Sequence, residues 1–119
     1  MTKYHAKQTV IDGIKFASKL EADRYLQLKF LSMTDPPLIS KLILQPEFEI
    51  SQGYVDPKTG EKIPARHYVA DFQYVDNETH LTIVEDTKGV ETDLFRLKWD
   101  IARQKYPECT FRKLTRKDV

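Results

Sequence analysis

A single α/β domain, in which a mixed sheet is covered by two helices, is what this 119-residue sequence predicts. Three observations carry it: two segments of helical apolar spacing, β-branched and aromatic runs between them, and no linker or repeat that would divide the chain. The expected domain therefore spans residues 1–119.

In chain order, Gln8-Thr9-Val10-Ile11 and Ile14-Lys15-Phe16 flank Asp12-Gly13, a hairpin signal. Ser18-Lys19-Leu20-Glu21 reads as a capping box, and a helix follows to about Met33, spaced through Ala17, Leu20, Tyr25, Leu28 and Leu31 and stopped by Pro36-Pro37. A first long strand is expected from Ile39 to Ile50. A loop from Gln52 to Pro64 then leads into a central hairpin, Tyr68 to Lys88, turning at Asn77-Glu78-Thr79-His80. Thr92 caps a second helix, with Leu94, Leu97, Ile101 and Ala102 along one side and Phe95, Trp99 and Tyr106 widening it until Pro107. Cys109 to Leu114 is the last strand. The order helix, three strands, helix, strand implies an antiparallel group joined to a final strand by a helical crossover.

Composition narrows the setting. No apolar run approaches the roughly 20 residues of a membrane span, and Met1-Thr2-Lys3-Tyr4-His5 lacks the apolar core of a signal peptide. With one cysteine, Cys109, no internal disulfide is available, which fits a reducing cytoplasm, and its neighbours suggest a small buried strand residue rather than a nucleophile. His5, His67 and His80 lack zinc-ligand spacing. The net charge is only +1, but its sign is segregated. Residues 1–34 hold six basic and three acidic side chains, residues 35–87 four and ten, and residues 88–119 nine and five. Basic ends around an acidic centre suit a site that grips phosphates about a cation, although solvated faces would look the same.

The chemistry concentrates in the hairpin. Folded about its turn, it pairs residues whose numbers sum to 157, so Tyr74 meets Ile83, Phe72 meets Glu85, and Asp71 is expected opposite Asp86. Directly opposed side chains stand roughly 4.5–5.5 Å apart, and two carboxylates at that distance need compensation. A divalent cation would supply it. Lys88 falls on the face of Asp86, about 6.6 Å further along the strand. A second acid-x-Lys, Asp56-Pro57-Lys58, precedes Thr59-Gly60 and reads as a turn, whereas Asp86 ends the apolar run Leu81-Thr82-Ile83-Val84. Glu21 either closes the capping box or, on the face it shares with Ala17, Tyr25 and Leu28, meets the sheet as a third acid of the site.

Five motifs in order, Lys15-Phe16-x-Ser18-Lys19-x-Glu21-Ala22, Leu44-Gln45-Pro46-x-Phe48, Tyr68-Val69-Ala70-Asp71-Phe72, Glu85-Asp86-x-Lys88-Gly89 and Phe95-Arg96-Leu97-Lys98, resemble a family of small phage and prophage proteins. That family is catalogued as a domain of unknown function and placed in the PD-(D/E)XK nuclease superfamily. The resemblance covers nearly the whole chain. It implies a restriction-endonuclease-like αβββαβ core preceded by a short N-terminal hairpin. By position Asp71 resembles the Asp of the "PD" motif, Asp86 its (D/E) and Lys88 its Lys, with Glu21 as the additional first-helix acid. Ala70 stands where the motif has proline.

The implied activity is metal-dependent hydrolysis of DNA phosphodiester bonds. Asp71, Asp86, the Thr87 carbonyl and Glu21 are the expected ligands of Mg²⁺ or Mn²⁺, and Lys88 is the group that orients the nucleophile or stabilises the transition state. Arg96, Lys98, Arg103, Lys105, Arg112 and Lys113 are candidates for phosphate contacts, and Gln45 for support of the site. The expected substrate is duplex or branched DNA, such as a Holliday junction, flap or fork, and cutting two opposed strands would call for a homodimer. The expected setting is the cytoplasm of a bacterial host. Two other readings stand: a DNA-binding module of the same fold without catalysis, and a sugar hydrolase using Asp71 and Asp86 as paired acids, which the basic ends and Lys88 disfavour.

Overall fold

The computed structural model describes residues 8–119, so His5 and the N-terminal segment weighed as a signal peptide lie outside the described residues. Strands β1 (Thr9–Ile11) and β2 (Ile14–Phe16) form the expected hairpin. Asp12 and Gly13 turn it with φ of 55° and 77°, the backbone of a tight two-residue turn that suits right-twisted strands. Helix α1 (Lys19–Ser32) begins where Ser18 Oγ accepts a hydrogen bond from Glu21 N at 3.1 Å. Its buried face is Glu21, Ala22, Tyr25 and Leu28. Ala17 does not share that face: it precedes the cap, outside the helical repeat, and is exposed.

The expected first strand is two strands. β3 (Ile39–Leu44) ends at Gln45, whose φ is 52°, and β4 (Glu47–Ser51) begins after Pro46. Proline has no N–H for a ladder, and a left-handed residue before it turns the chain out of the sheet. The facing strand breaks at the same level, into β7 (Arg66–Val69) and β8 (Phe72–Asp76). Gln45 N donates to the Asp71 carbonyl at 2.9 Å and Ala70 N to the Pro46 carbonyl at 3.1 Å, so each bend satisfies the other's backbone. Between them, the segment read as a loop carries the small hairpin of β5 (Tyr54–Val55) and β6 (Lys62–Ile63). Asp56-Pro57-Lys58 lies in its turn, as expected, with Asp56 Oδ1 accepting from Lys58 N.

β9 (Thr82–Thr87) pairs antiparallel with β8 in the expected register, Phe72 with Glu85 and Tyr74 with Ile83. Helix α2 (Asp93–Lys105), capped by Thr92, crosses to β10 (Cys109–Leu114), which runs parallel to β9. The central sheet has the order β10-β9-β8-β3, antiparallel except for the β10–β9 pair. The fold is thus mixed α and β, with a mixed sheet and two helices.

Each face has its own core. Phe16, Ala22, Tyr25, Leu28, Ile39, Phe72, Tyr74 and Ile83 pack under α1, while Phe48, Ile50, Tyr68, Ala70, Val84, Phe95, Trp99 and Ala102 pack under α2. The buried stripe of α2 is therefore Phe95, Trp99 and Ala102. Leu94 and Leu97 face solvent instead, because the aromatic stripe fills the space against Phe48, Tyr68 and Phe111 with larger side chains. Cys109 is half-buried. Among the described residues, no helix is long and apolar enough to cross a membrane.

Candidate active site

Strand alternation sends the two acids of Glu85-Asp86 to opposite faces of the sheet. Glu85, fully buried, points under α1 and is held by Arg24 Nε at 2.7 Å and Nη2 at 2.6 Å. Tyr74 donates to the same carboxylate, and Arg112 stands 4.0 Å away. Asp86, 1% exposed, points under α2. Tyr68 donates to its Oδ2. Its Oδ1 is ion-paired with Lys88 Nζ at 3.1 Å and has no further partner among the described residues. Lys88, on the same face as expected, rests its ammonium 4.4 Å from the centre of the Phe95 ring.

Asp71 is not the ladder partner of Asp86. Pairing ends at Phe72 and Glu85, and Asp71, in the bend, donates its N–H to the Glu85 carbonyl at 3.1 Å. Its carboxylate turns toward Thr87, accepting from Thr87 N at 2.8 Å and Thr87 Oγ1 at 2.7 Å. The bend thus frees Asp71 from the ladder while holding it beside Asp86. Thr87 was expected to offer only its carbonyl; its N–H and hydroxyl orient Asp71.

Glu21 arrives from α1, on the other side of the sheet. Ser18 Oγ accepts from the Glu21 N–H, but the Ser18 N–H makes no return bond to the Glu21 carboxylate, so the capping box stays open. With Asp71, Thr87 and Lys88 it lines a cleft of about 760 Å³, bordered by Ala17, Ser18, Val90, Glu91, Thr92 and Asp93. A smaller cavity, about 140 Å³, opens behind Glu21 and Asp71 between Lys15 and Gln45. Asp86 and Lys88 reach a third, of about 280 Å³, together with Tyr68, Phe95 and Lys98.

The acids are electrostatically coupled. Burial, then the charges of Asp71 and Asp86, push the Glu21 carboxyl up to about 7. Burial and the Asp71 charge push Asp86 up to about 7, against the opposing pull of Tyr68 and Lys88. Burial and the Asp86 charge hold the Tyr68 hydroxyl far above its ordinary range, so it remains a donor.

Among the described residues, no three acidic or imidazole side chains already stand as a metal-binding group. The donor chemistry nevertheless fits a hard cation: three carboxylates repel one another at one place, and Asp86 keeps a buried oxygen held only by the Lys88 ammonium.

A protein family described as "Protein of unknown function (DUF1064)" matches residues 1–117. The chain belongs to this family. No curated protein and no solved structure matches the chain significantly.

The six expected phosphate contacts are unequal. Arg96 is tied to Asp93 at 2.9 Å and Glu91 at 3.8 Å, Lys113 to Glu91 at 3.0 Å, and Arg103 to Asp100 at 3.8 Å. Arg112 leans on Glu85. Lys98 and Lys105 have no ion pair among the described residues, and Lys98 lines the cavity that Asp86 and Lys88 share. Sequence reasoning missed Tyr68 and Thr87 as orienting groups and the whole Arg24, Glu85 and Tyr74 network. Alternation gave no signal for the first, since continued from Tyr68 to Phe72 it would place Tyr68 on the face of Glu85; the bend at Ala70 and Asp71 is what moves it to the face of Asp86.

Proposed function

We propose that this chain is a metal-dependent endonuclease that hydrolyses DNA phosphodiester bonds on a restriction-endonuclease-like core, with Mg²⁺ or Mn²⁺ as its cofactor. One observation carries the reading: Glu21 and Asp71, drawn from both sides of one sheet, line an open cleft with Lys88, and buried Asp86 reaches a second cavity that Lys88 also lines, with the Glu21 and Asp86 carboxyls raised to about 7. The Glu85 carboxylate on the opposite face, held by both prongs of Arg24, shows a more fully compensated acid for comparison.

Asp71, Asp86 and Glu21 would hold the cation, with the Thr87 carbonyl as a further oxygen donor. When bound, it would lower the pKa of a coordinated water and neutralise charge on the phosphate. The chain's own groups do the rest. Thr87 fixes Asp71 through two hydrogen bonds, and Tyr68 fixes Asp86. Lys88, steadied by Asp86 and the face of Phe95, is the cation at the cleft suited to orient the attacking water or stabilise charge building on the phosphoryl oxygens. On the rim Glu91 and Asp93 are paired with Arg96 and Lys113, so the negative charge a cation would offset is that of Glu21 and Asp71 inside the cleft. In the single chain Lys98 and Lys105 have no ion pair among the described residues, which leaves them open to a nucleic-acid backbone or to another acidic partner, and Lys98 lines the cavity of Asp86 and Lys88. The same reading places the protein in the cytoplasm of a bacterial host, with a phage or prophage source.

The test is cleavage of labelled four-way junction, flap, single-stranded and linear duplex DNA with Mg²⁺, Mn²⁺ or EDTA, comparing wild type with Asp86→Asn. Metal-dependent cutting that the substitution abolishes is the expected result, and the preferred substrate identifies the role. Binding without cutting by both proteins would leave a DNA-binding module of this fold.

A further inference from the structure

The fold leaves one apolar stripe uncovered. Val90, Leu94 and Leu97 are 59%, 61% and 59% exposed, and Ile101 is half-buried. Leu94, Leu97 and Ile101 are spaced three and four residues apart on α2, the spacing of a helix-pairing seam, with Val90 in the loop just before the helix and Ile101 also packed on the core under α2. At 100° per residue the stripe lies well round the helix from Phe95, Trp99 and Ala102, which α2 already spends on its own sheet. Charges flank it asymmetrically. Asp93 and Asp100 border one side, and Lys98 and Lys105 the other.

We propose that α2 pairs, in parallel, with α2 of a second copy of this chain about a two-fold axis. The flanks decide both partner and direction. With helices parallel, Asp93 faces Lys98 of the other copy and Asp100 faces its Lys105, and symmetry makes each pair twice. Antiparallel helices would set acid against acid and lysine against lysine. A nucleic acid is a poor occupant, since a phosphate backbone gains nothing from leucines and is repelled by the acidic flank. The existing contacts of these acids, with Arg96 at 2.9 Å and Arg103 at 3.8 Å, are exposed pairs on the same helix and cost little to exchange. Three apolar side chains on the helix, with Val90 beside them, and their flanks fall short of the about 800 Å² per partner of a typical stable complex, so association is weak and set by concentration. Thr92 and Asp93 border the cleft, so parallel pairing puts both clefts at one end of the dimer. The interface rests on the fold and not on the nuclease reading.

Sedimentation velocity of the full chain over a micromolar concentration series tests it. Wild type should pass from monomer to dimer, and Leu94→Glu with Leu97→Glu should remain monomeric throughout. Asp93→Lys with Asp100→Lys should weaken the dimer by about tenfold or more, from four reversed charge pairs. Adding Lys98→Asp and Lys105→Asp to that variant should restore it, which also excludes misfolding as the cause of the loss. A wild type that stays monomeric, or a dimer that survives Leu94→Glu with Leu97→Glu, overturns the interface. An Asp93→Lys, Asp100→Lys variant that dimerises as well as wild type, or one that the added substitutions fail to rescue, overturns the parallel pairing.

Discussion

Glu85 and Asp86 are adjacent on one strand, both buried, and built into opposite chemistries. Glu85 sits under α1 with its two oxygens bound by a two-pronged arginine and a tyrosine. Asp86 sits under α2 with one oxygen bound by Tyr68 and the other held only by the half-exposed Lys88 ammonium at 3.1 Å, and its carboxyl is raised to about 7. What separates a structural acid from a candidate catalytic one is the completeness of its compensation, since burial is common to both. A fully paired carboxylate ties helix to sheet, whereas a partly paired one is available to a cation.

This contrast can be broken by substitution. Asp86→Asn should lower cleavage by about 10³-fold while leaving the metal-free fold as stable as wild type or more so, read from initial rates and a melting curve. Glu85→Gln should do the reverse in stability, costing about 3–5 kcal/mol by leaving Arg24 buried and under-compensated, measured by chemical denaturation. Equal destabilisation by the two would show that both acids are structural.

The pH dependence sharpens the same comparison. Glu21 and Asp86 have folded pKa values near 7, above their ordinary values of 4.5 and 3.8. Between pH about 4 and 7 the folded state therefore binds more protons than the unfolded one, so stability falls as pH rises through this window. The metal-free protein should lose on the order of 2–4 kcal/mol from pH 5 to pH 8, less than two independent shifts imply because the acids are coupled. Mg²⁺ or Mn²⁺ should flatten that slope, and Glu21→Gln should reduce it; a slope that neither changes would remove these acids as its source.

The smallest effect is expected at Tyr68→Phe. Loss of its hydrogen bond should raise the Asp86 pKa further and weaken metal binding or activity by about tenfold, visible as an alkaline shift of the rate profile. An unchanged profile would mean that Tyr68 merely fills space.

Much of this was legible along the chain. Both helices start at Ser18 and Thr92 as read, the β8–β9 register follows from the position of its turn, and the final strand matches at both ends. These are local matters of capping, period and turn chemistry. The bend was half-legible: Gln45-Pro46 signals an irregularity, but only its hydrogen bonds to Ala70 and Asp71 show that two strands break together. The core face of α2 was misread because the helix carries two apolar stripes, and periodicity alone does not say which one the sheet takes.

By itself, then, the sequence determined the order of elements, the hairpin register and the set of acids with Lys88, because each depends on neighbours within a turn or a strand pair. Tertiary structure decided which acids share a cleft, that Arg24 neutralises Glu85 across 61 positions while Asp86 keeps an oxygen held only by Lys88, and which stripe of α2 remains exposed. Charge compensation and burial are properties of surroundings, and those surroundings come from segments far apart in the chain.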